Sequence, residues 1–361
     1  MLSIPGTITA STMTIDNISP QSYASSSSIL PNTNTLAFWY GSTDLSTNPD
    51  LYKSFLDKMG QCIDARLSNG RNDNSNNNSN NNGNANPQEN QLIDAKSSGI
   101  IVNGCGWIED MGYELMKHTI QALHINVVLV MGHDRLYSML STNYNKMREQ
   151  KQNGDVSIHE GMAIPKVIKL ARSGGIVSRD SSFRRVSRSL SMKQYFYGES
   201  IVSPSAYGNV AASLSASGSM LGGAGRTNGL SVPTSSLVNQ FSPALIELSF
   251  ADVTIYKMDN VSLSASMLPV SAKQTSEVVQ LNQIHDIGIT LKHSMLAVCH
   301  PMSVEKYEQS GEPSDLYMTG VTGFVVVEKV DVNREIISLL SPCSGALASS
   351  TLLAADVTWR E

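Results

Sequence analysis

The spacing of apolar residues predicts helices and buried strands in the first half of the chain. One helix is predicted from apolar residues that recur every four positions and therefore share a face: Leu51, Phe55, Met59, Ile63 and Leu67. Asn48 suits the N-cap of this helix, and Pro49 suits its first position. We therefore expect a helix that begins at Pro49.

Three apolar runs predict buried strands: GIIVN (99–103), INVVLVM (125–131) and IPKVIKL (164–170). GCGW follows the first run as a Gly-rich turn, and helices are predicted from about Met111 to Leu123 and from near Arg135. This order is typical of a parallel sheet flanked by helices, whose ligands bind beyond the carboxyl ends of the strands. The ligand edge would then hold Trp107 and the turn Gly132–Asp134.

From Leu245 onwards the apolar period changes to two, which predicts a separate β-rich domain. Its strands are expected in IELSFADVTIYKM, GFVVVEKVDV, REIISLLSP and LLAADVTWRE. Two polar segments lack the apolar residues needed for a core, and we expect disordered inserts there. The predicted organisation is an α/β domain over 1–71 and 92–202, inserts at 72–91 and 203–242, and the β-rich domain over 243–361.

The positive charge is concentrated in one segment. Residues 166–193 hold eight Lys or Arg side chains and a single acid, Asp180, in a chain of formal net charge −5. Four scattered cysteines without metal-ligand spacing indicate free thiols and no metal site: Cys62, Cys105, Cys299 and Cys343. Since the sequence has no long apolar run and no secretory pattern at its start, we expect a soluble, intracellular protein.

Nine short stretches occur in one order along the chain: IPGT (4–7), WYGSTDLSTNPDLY (39–52), VNGCGW (102–107), GHDRLYSML (132–140), RSGGIVSRDSSFRR (172–185), YFYG (195–198), FADVTIYK (250–257), GFVVVEKVD (323–331) and LLSP (339–342). Their order resembles the Clp family of eukaryotic polynucleotide 5′-hydroxyl kinases, known as a subunit of the pre-mRNA 3′-end cleavage factor. The resemblance implies an α/β fold: the later part of a P-loop NTPase-type parallel-sheet domain, followed by a smaller β-rich C-terminal domain.

The resemblance also implies a nuclear RNA-processing protein that uses ATP and Mg²⁺ in its complete form. The partners that the resemblance implies are RNA and other cleavage-factor subunits, and the tRNA splicing endonuclease complex is a further candidate. We expect no association with a membrane. Family members carry a P-loop, GxxxxGK[ST], ahead of the IPGT segment, whereas no Gly-Lys pair occurs here. We therefore expect the P-loop to be missing from a truncated, inactive chain; a protein that has lost catalysis is the alternative.

The basic segment supplies the catalytic candidates. The family has two lid arginines five positions apart that neutralise the transferring phosphoryl group, and Arg179 and Arg184 match them. Arg185, Arg188 and Lys193 suit the backbone phosphates of RNA. The segment could instead be a solvated helix face, and Arg184-Arg185-Val186-Ser187 a phosphorylation site.

Trp107 matches a family tryptophan that stacks on a substrate base, although Gly104 stands where the family has threonine. Packing of Trp107 against the following helix is the alternative. Gly41, Ser42 and Thr43 follow a strand and could hold phosphate, or form an ordinary turn; Leu45 replaces the family's proline.

Gly132, Asp134 and Arg135 match a family loop near the nucleotide base, while an N-capping Asp134 is an equally good interpretation. Two other functions remain open. One is a non-catalytic subunit that scaffolds the cleavage factor. The other is a related kinase of pre-tRNA or pre-rRNA processing.

Overall fold

A computed structural model of the chain describes residues 4–12, 35–69, 99–152, 164–176, 179–198, 242–260 and 279–360. The predicted insert at 72–91 and residues 203–241 of the second predicted insert lie outside these ranges. By their contacts the residues form two compact units, one of Met1–Asp44 with Arg179–Glu361 and one of Leu45–Ser178.

The helices are α1 (Pro49–Asn69), α2 (Met111–Ala122), α3 (Asp134–Gln152), α4 (Ser181–Tyr197), α5 (Pro301–Ser310) and α6 (Pro313–Tyr317). The strands are β1 (Thr7–Ser11), β2 (Thr35–Trp39), β3 (Val127–Met131), β4 (Lys166–Leu170), β5 (Ala244–Ser249), β6 (Thr254–Asn260), β7 (Val279–Gln283), β8 (Ser294–Val298), β9 (Gly323–Asp331), β10 (Ile336–Ser341) and β11 (Thr351–Thr358). Short 3₁₀ turns span Phe250–Asp252 and Ile289–Leu291.

The unit Leu45–Ser178 has the predicted α/β character. The backbone N–H of Leu51 donates to Asn48 Oδ1 at 3.0 Å, so the predicted cap of α1 is confirmed. β3 and β4 pair in parallel, with Val127 opposite Lys166. Helices α2 and α3 flank this pair and share a core with it: Ile120, Val130, Leu136, Leu140 and Tyr144.

The strand predicted over 99–103 is wrong. These residues carry no regular secondary structure, and the side chain of Ile101 is fully exposed. A strand needs a hydrogen-bonded neighbour, and among the described residues β3 pairs with β4 alone. An apolar run therefore indicated a strand that finds no partner in the described part of the chain.

The other unit is built on a seven-stranded sheet in the order β5-β10-β9-β8-β11-β6-β7. Neighbouring strands are antiparallel except β11 and β6, which are parallel. The four predicted runs all form strands, so the β-rich C-terminal region is confirmed. The pattern did not indicate β7, or β8, whose five residues SMLAV are buried in the middle of the sheet.

β1 and β2 form an antiparallel ribbon that belongs to the same unit as the large sheet. The Trp39 ring packs on Phe324 of β9 with centroids 5.3 Å apart. The N–H of Val321 donates to the carbonyl of Ala37 at 2.9 Å. This grouping by contact joins the first strands and α4 to the C-terminal sheet, whereas the predicted domains follow chain order; those domain bounds stay a prediction.

Candidate functional site

Helix α4 carries four of the eight cations of the basic segment, and its start is fixed by the segment's one acid. The Asp180 carboxylate accepts the backbone N–H of Phe183 at 2.7 Å and the hydroxyl of Ser182 at 2.9 Å. The hydrogen bond from Phe183 is the main cause that lowers the pKa of Asp180. Asp180 is thus an N-cap, which defines where the basic helix begins.

The second half of α4 is anchored by aromatic packing. Phe196 is fully buried and stacks on Trp359, with ring centroids 5.2 Å apart and planes 9° apart. The N–H of Phe324 donates to Tyr195 Oη at 3.0 Å, and burial raises the pKa of the Tyr195 phenol. Trp359 Nε1 donates to Ser189 Oγ at 3.3 Å. These contacts hold the last two turns of α4 on the C-terminal sheet.

The first half of α4 and Arg179, which directly precedes its cap, present cations to solvent; Arg179, Arg184 and Arg185 are called the α4 arginines below. Arg179, Arg184 and Arg185 are exposed, and Arg184 Nη1 donates to the Arg179 carbonyl at 3.4 Å. The Arg179 guanidinium lies over the Phe183 ring at 5.4 Å. The structure therefore brings the two predicted lid arginines together at the start of a helix. Exposed guanidiniums in this arrangement can bind phosphate groups through charge-assisted hydrogen bonds.

The turn after β2 uses part of its hydrogen-bonding capacity internally. Gly41 has φ 78°, its N–H donates to the Gly6 carbonyl at 3.0 Å, and its own carbonyl accepts the N–H of Asp356. A Cβ on Gly41 would overlap Ala355 on β11. Any phosphate contact by this turn would therefore depend on the half-buried Ser42 and the exposed Thr43.

Trp107 packs against the beginning of the following helix. Its indole is half-buried, and a Cβ on Gly112 would lie 2.5 Å from Trp107 Cγ. The preceding Gly104 and Gly106 face open space. The packing alternative has support from this contact, and a stacking role for Trp107 stays a prediction.

The Gly132–Asp134 turn lies, as predicted, at the carboxyl ends of the two parallel strands. The Gly132 N–H donates to the carbonyl of Leu170, the last residue of β4, at 3.1 Å. Gly132 has φ 61°, and the aliphatic part of Arg172 covers it. Its amide is therefore bound to protein and not directed at a ligand.

The interpretation of Asp134 as an N-cap is wrong. His133 takes that role, because its Nδ1 accepts the N–H of Leu136 at 3.1 Å. Asp134 is the first residue of α3, and its carboxylate is 2.9 Å from Lys169 Nζ. Arg135 is exposed beside it. Sequence reasoning missed His133, since histidine is seldom counted among the capping residues.

The predicted site residues are divided between the two units. Arg179, Arg184, Arg185 and the Gly41–Thr43 turn belong to one; Trp107, Gly132, Asp134 and Arg135 belong to the other. No group of three or more His, Cys, Asp or Glu side chains that could hold a metal occurs among the described residues. Within the same residues, no helix has the length and apolar character needed to cross a membrane.

Two family models match the chain. The mRNA cleavage and polyadenylation factor CLP1 P-loop model matches residues 84–198, and the Pre-mRNA cleavage complex II protein Clp1 model matches residues 241–361. The chain belongs to the Clp1 family. The expectation that the P-loop is missing from the chain is wrong: the CLP1 P-loop model matches residues 84–198, although no Gly-Lys pair occurs in the sequence.

Curated relatives of the chain are Clp1 proteins. The Protein CLP1 homolog of Dictyostelium discoideum is 28% identical over 327 residues, covering 90% of this chain and 53% of the relative. The Polyribonucleotide 5′-hydroxyl-kinase Clp1 of Homo sapiens is 25% identical over 326 residues, covering 90% and 56%. The chain thus spans about half the length of these relatives.

Solved structures share the fold. A wild-type Clp1p–Pcf11p complex aligns with TM-score 0.55 and 15% identity, covering 100% of this chain and 65% of that chain. A second structure, of an extended Pcf11p–Clp1p interface and a point mutant that loses ATP, aligns with TM-score 0.54 and 17% identity, covering 100% and 66%.

Proposed function

We propose that the chain is a nuclear RNA-processing protein of the pre-mRNA 3′-end cleavage and polyadenylation machinery that engages phosphate groups through the first half of α4. The observation that carries this proposal is the exposed arginine group on an anchored helix, inside the region matched by the CLP1 P-loop model. An acidic chain that concentrates its cations there can attract polyanions to one place.

The finer proposal is the 5′-hydroxyl kinase activity named for the human relative. In phosphoryl transfer, negative charge spreads over the oxygens of the transferred group, and positioned guanidiniums stabilise it. We assign this role to Arg179 and Arg184, which lie together at the start of α4. Arg185 would contact backbone phosphates of the RNA.

ATP would supply the phosphoryl group, with Mg²⁺ bound to its phosphates. The α4 arginines fit the phosphates, because they are exposed donors. Gly132, Asp134 and Arg135 fit a nucleotide less well, since the Gly132 amide and the Asp134 carboxylate already have partners within the chain. Without a Gly-Lys pair, the sequence offers no lysine of the P-loop kind.

The test is phosphate transfer from labelled ATP to a 5′-hydroxyl oligoribonucleotide by the full chain. Arg184→Ala should lower turnover by about 10³-fold if Arg184 acts as a lid arginine. Arg334→Ala is the matched control, because Arg334 is an exposed arginine of the same unit that lies on the β9–β10 turn. Equal losses in both variants would refute the assignment.

A second function, a non-catalytic scaffold of the cleavage factor, is favoured by two sequence features: Gly104 stands where the family has threonine, and Leu45 stands where the family has proline. The solved Clp1p structures are complexes with Pcf11p, so a Pcf11-type subunit is the partner we propose for this case. Binding of that subunit can be measured by calorimetry. Binding, together with no phosphate transfer by the wild-type chain, would favour the scaffold over the kinase.

A further inference from the structure

Helix α4 contains a sequence that serine kinases with basic specificity recognise. Arg184 and Arg185 stand three and two positions before Ser187. Such kinases read positive charge on the amino-terminal side of the serine that they modify. The proposed phosphate-binding function uses the arginines of this stretch and leaves the serine unexplained.

The structure distinguishes Ser187 from three other serines of α4. Ser182 donates its hydroxyl to Asp180, Ser189 accepts from Trp359, and the buried Ser191 donates to the Ser187 carbonyl at 3.0 Å. Within the described residues, Ser187 Oγ has no hydrogen-bond partner. Phosphorylation of Ser187 would therefore break no side-chain hydrogen bond, whereas phosphorylation of Ser182, Ser189 or Ser191 would break one.

The location of Ser187 also allows an enzyme to reach it. Arg184, Arg185 and Val186 are exposed, and Ser187 is partly exposed. The anchoring contacts of α4 begin at Ser189 and lie towards its carboxyl end. Local opening of a helix costs least where few side chains are packed. The first half of α4 can thus open while the second half stays attached.

We propose that Ser187 is a phosphorylation site for a protein kinase with basic specificity, and that its phosphate pairs with Arg184. In the modification, Ser187 Oγ forms a bond to the γ-phosphorus of ATP, the bond between that phosphorus and the β–γ bridging oxygen breaks, and ADP leaves. The hydroxyl proton passes to the catalytic base of the protein kinase.

The pairing follows from helix geometry. Residues three apart on a helix are neighbours on its surface, so the phosphate at Ser187 faces the exposed Arg184 guanidinium. A phosphoserine carries close to two negative charges at neutral pH and forms charge-assisted bonds with arginine. A regulatory role for this pair rests on the proposed function. The pair would withdraw Arg184 from RNA or ATP and so regulate phosphate binding by the first half of α4.

The first test maps the modification. The full chain is incubated with a cyclic-AMP-dependent type kinase and ATP, and phosphopeptides are located by mass spectrometry. Ser187 should take up most of the phosphate, and Ser187→Ala should lose it. Ser182→Ala is the matched control, because Ser182 has a single arginine, Arg179, three positions before it. Unchanged uptake in Ser187→Ala would overturn the site.

The second test measures the pair itself. Phosphoserine is introduced at position 187 by genetic encoding, in the wild-type chain and in Arg184→Gln, and its second ionisation is followed by ³¹P NMR. The pKa of the phosphate should be lower in the chain that keeps Arg184, because the guanidinium favours the dianion. Equal pKa values in the two chains would overturn the pairing.

The third test links the pair to function and separates the two proposals. Phosphate at Ser187 should weaken binding of a 5′-hydroxyl oligoribonucleotide about tenfold, the effect of losing one charge-assisted contact. Unchanged affinity in the phosphorylated chain, together with a loss in Arg184→Gln, would overturn the regulatory role. Unchanged affinity in Arg184→Gln itself would refute the proposed function, while the first two tests would still decide the modification.

Discussion

Single side chains determine where the basic helix begins and what it presents. Asp180 accepts hydrogen bonds at the amino end of α4, so the one acid of the basic segment has a structural role. Arg179 directly precedes this acid and Arg184 lies four positions after it, and the Arg184 side chain donates a hydrogen bond to the Arg179 carbonyl. Arg184 is therefore exposed on a helix whose start is fixed by a cap, and Arg179 is exposed directly before that cap.

The cap predicts a pH dependence of α4. Because the pKa of Asp180 is lowered in the folded chain, its capping contribution is complete above the unfolded value of about 3.9 and is lost as the pH falls through the folded value. The Phe183 amide signal in a ¹H–¹⁵N spectrum should report this titration. Asp180→Asn should keep the helix and abolish the titration, since asparagine caps without ionising; a persistent titration would assign it to another group.

Trp107 provides a second test at this scale. If its indole stacks on a base, Trp107→Ala should weaken oligoribonucleotide binding by about 1–3 kcal/mol. Gly112→Ala is the matched variant, because its new Cβ would collide with the Trp107 ring and displace it. Both variants should then weaken binding in fluorescence titrations. Unchanged affinity with a lower melting temperature in both would assign Trp107 to packing.

Among the elements, α4 has two unlike halves. Its first half is exposed and cationic, and its second half is held by Phe196, Tyr195 and Trp359. An anchored second half limits the ordering entropy that phosphate contacts by the first half would cost. The helix is therefore attached through its second half, and its first half, which carries the guanidiniums, keeps freedom of movement.

The α1–α2 pair allows a stability prediction. Gly60 of α1 lies against the carbonyl of Ala122, and a Cβ there would overlap that backbone oxygen. Gly60→Ala should lower the free energy of unfolding, because overpacking costs about 1–3 kcal/mol while the gain in helix propensity is about 1 kcal/mol.

Urea denaturation followed by circular dichroism would measure this change. Gln61→Ala is the control, because Gln61 is the exposed neighbour on the same helix. Its stability should stay within about 0.5 kcal/mol of wild type. A stabilised Gly60→Ala variant would show that α1 can move away from α2.

For the whole molecule, the distribution of charge decides how the chain meets polyanions. A net charge of −5 opposes nonspecific binding of RNA, so under the proposed function the α4 arginines would supply the attraction. This basic helix lies within the part of the chain that the CLP1 P-loop model matches.

Salt dependence tests this view. Replacing Arg179, Arg184 and Arg185 together by alanine should reduce the slope of log affinity against log salt by about 2, given about 0.7 per phosphate contact with single strands. The measurement is an anisotropy titration at several salt concentrations. A slope unchanged by the triple replacement would locate the RNA contacts on another surface.

Much of the fold followed from local sequence. The four-residue spacing and the Asn48 cap predicted α1, and apolar runs predicted β3, β4 and the main strands of the C-terminal sheet. These signals succeed because propensity and periodicity act between residues close in the chain. The basic segment likewise indicated a phosphate-binding region, and the resemblance to the Clp family selected Arg179 and Arg184 within it.

The tertiary structure alone decided the features that depend on distant partners. It left residues 99–103 without a strand and engaged the Gly41 amide with Gly6. It also paired Phe196 with Trp359, which turns a basic sequence into an anchored helix. These features could not be predicted from neighbouring residues, because each depends on a hydrogen bond or a packing contact between segments that are distant in the chain.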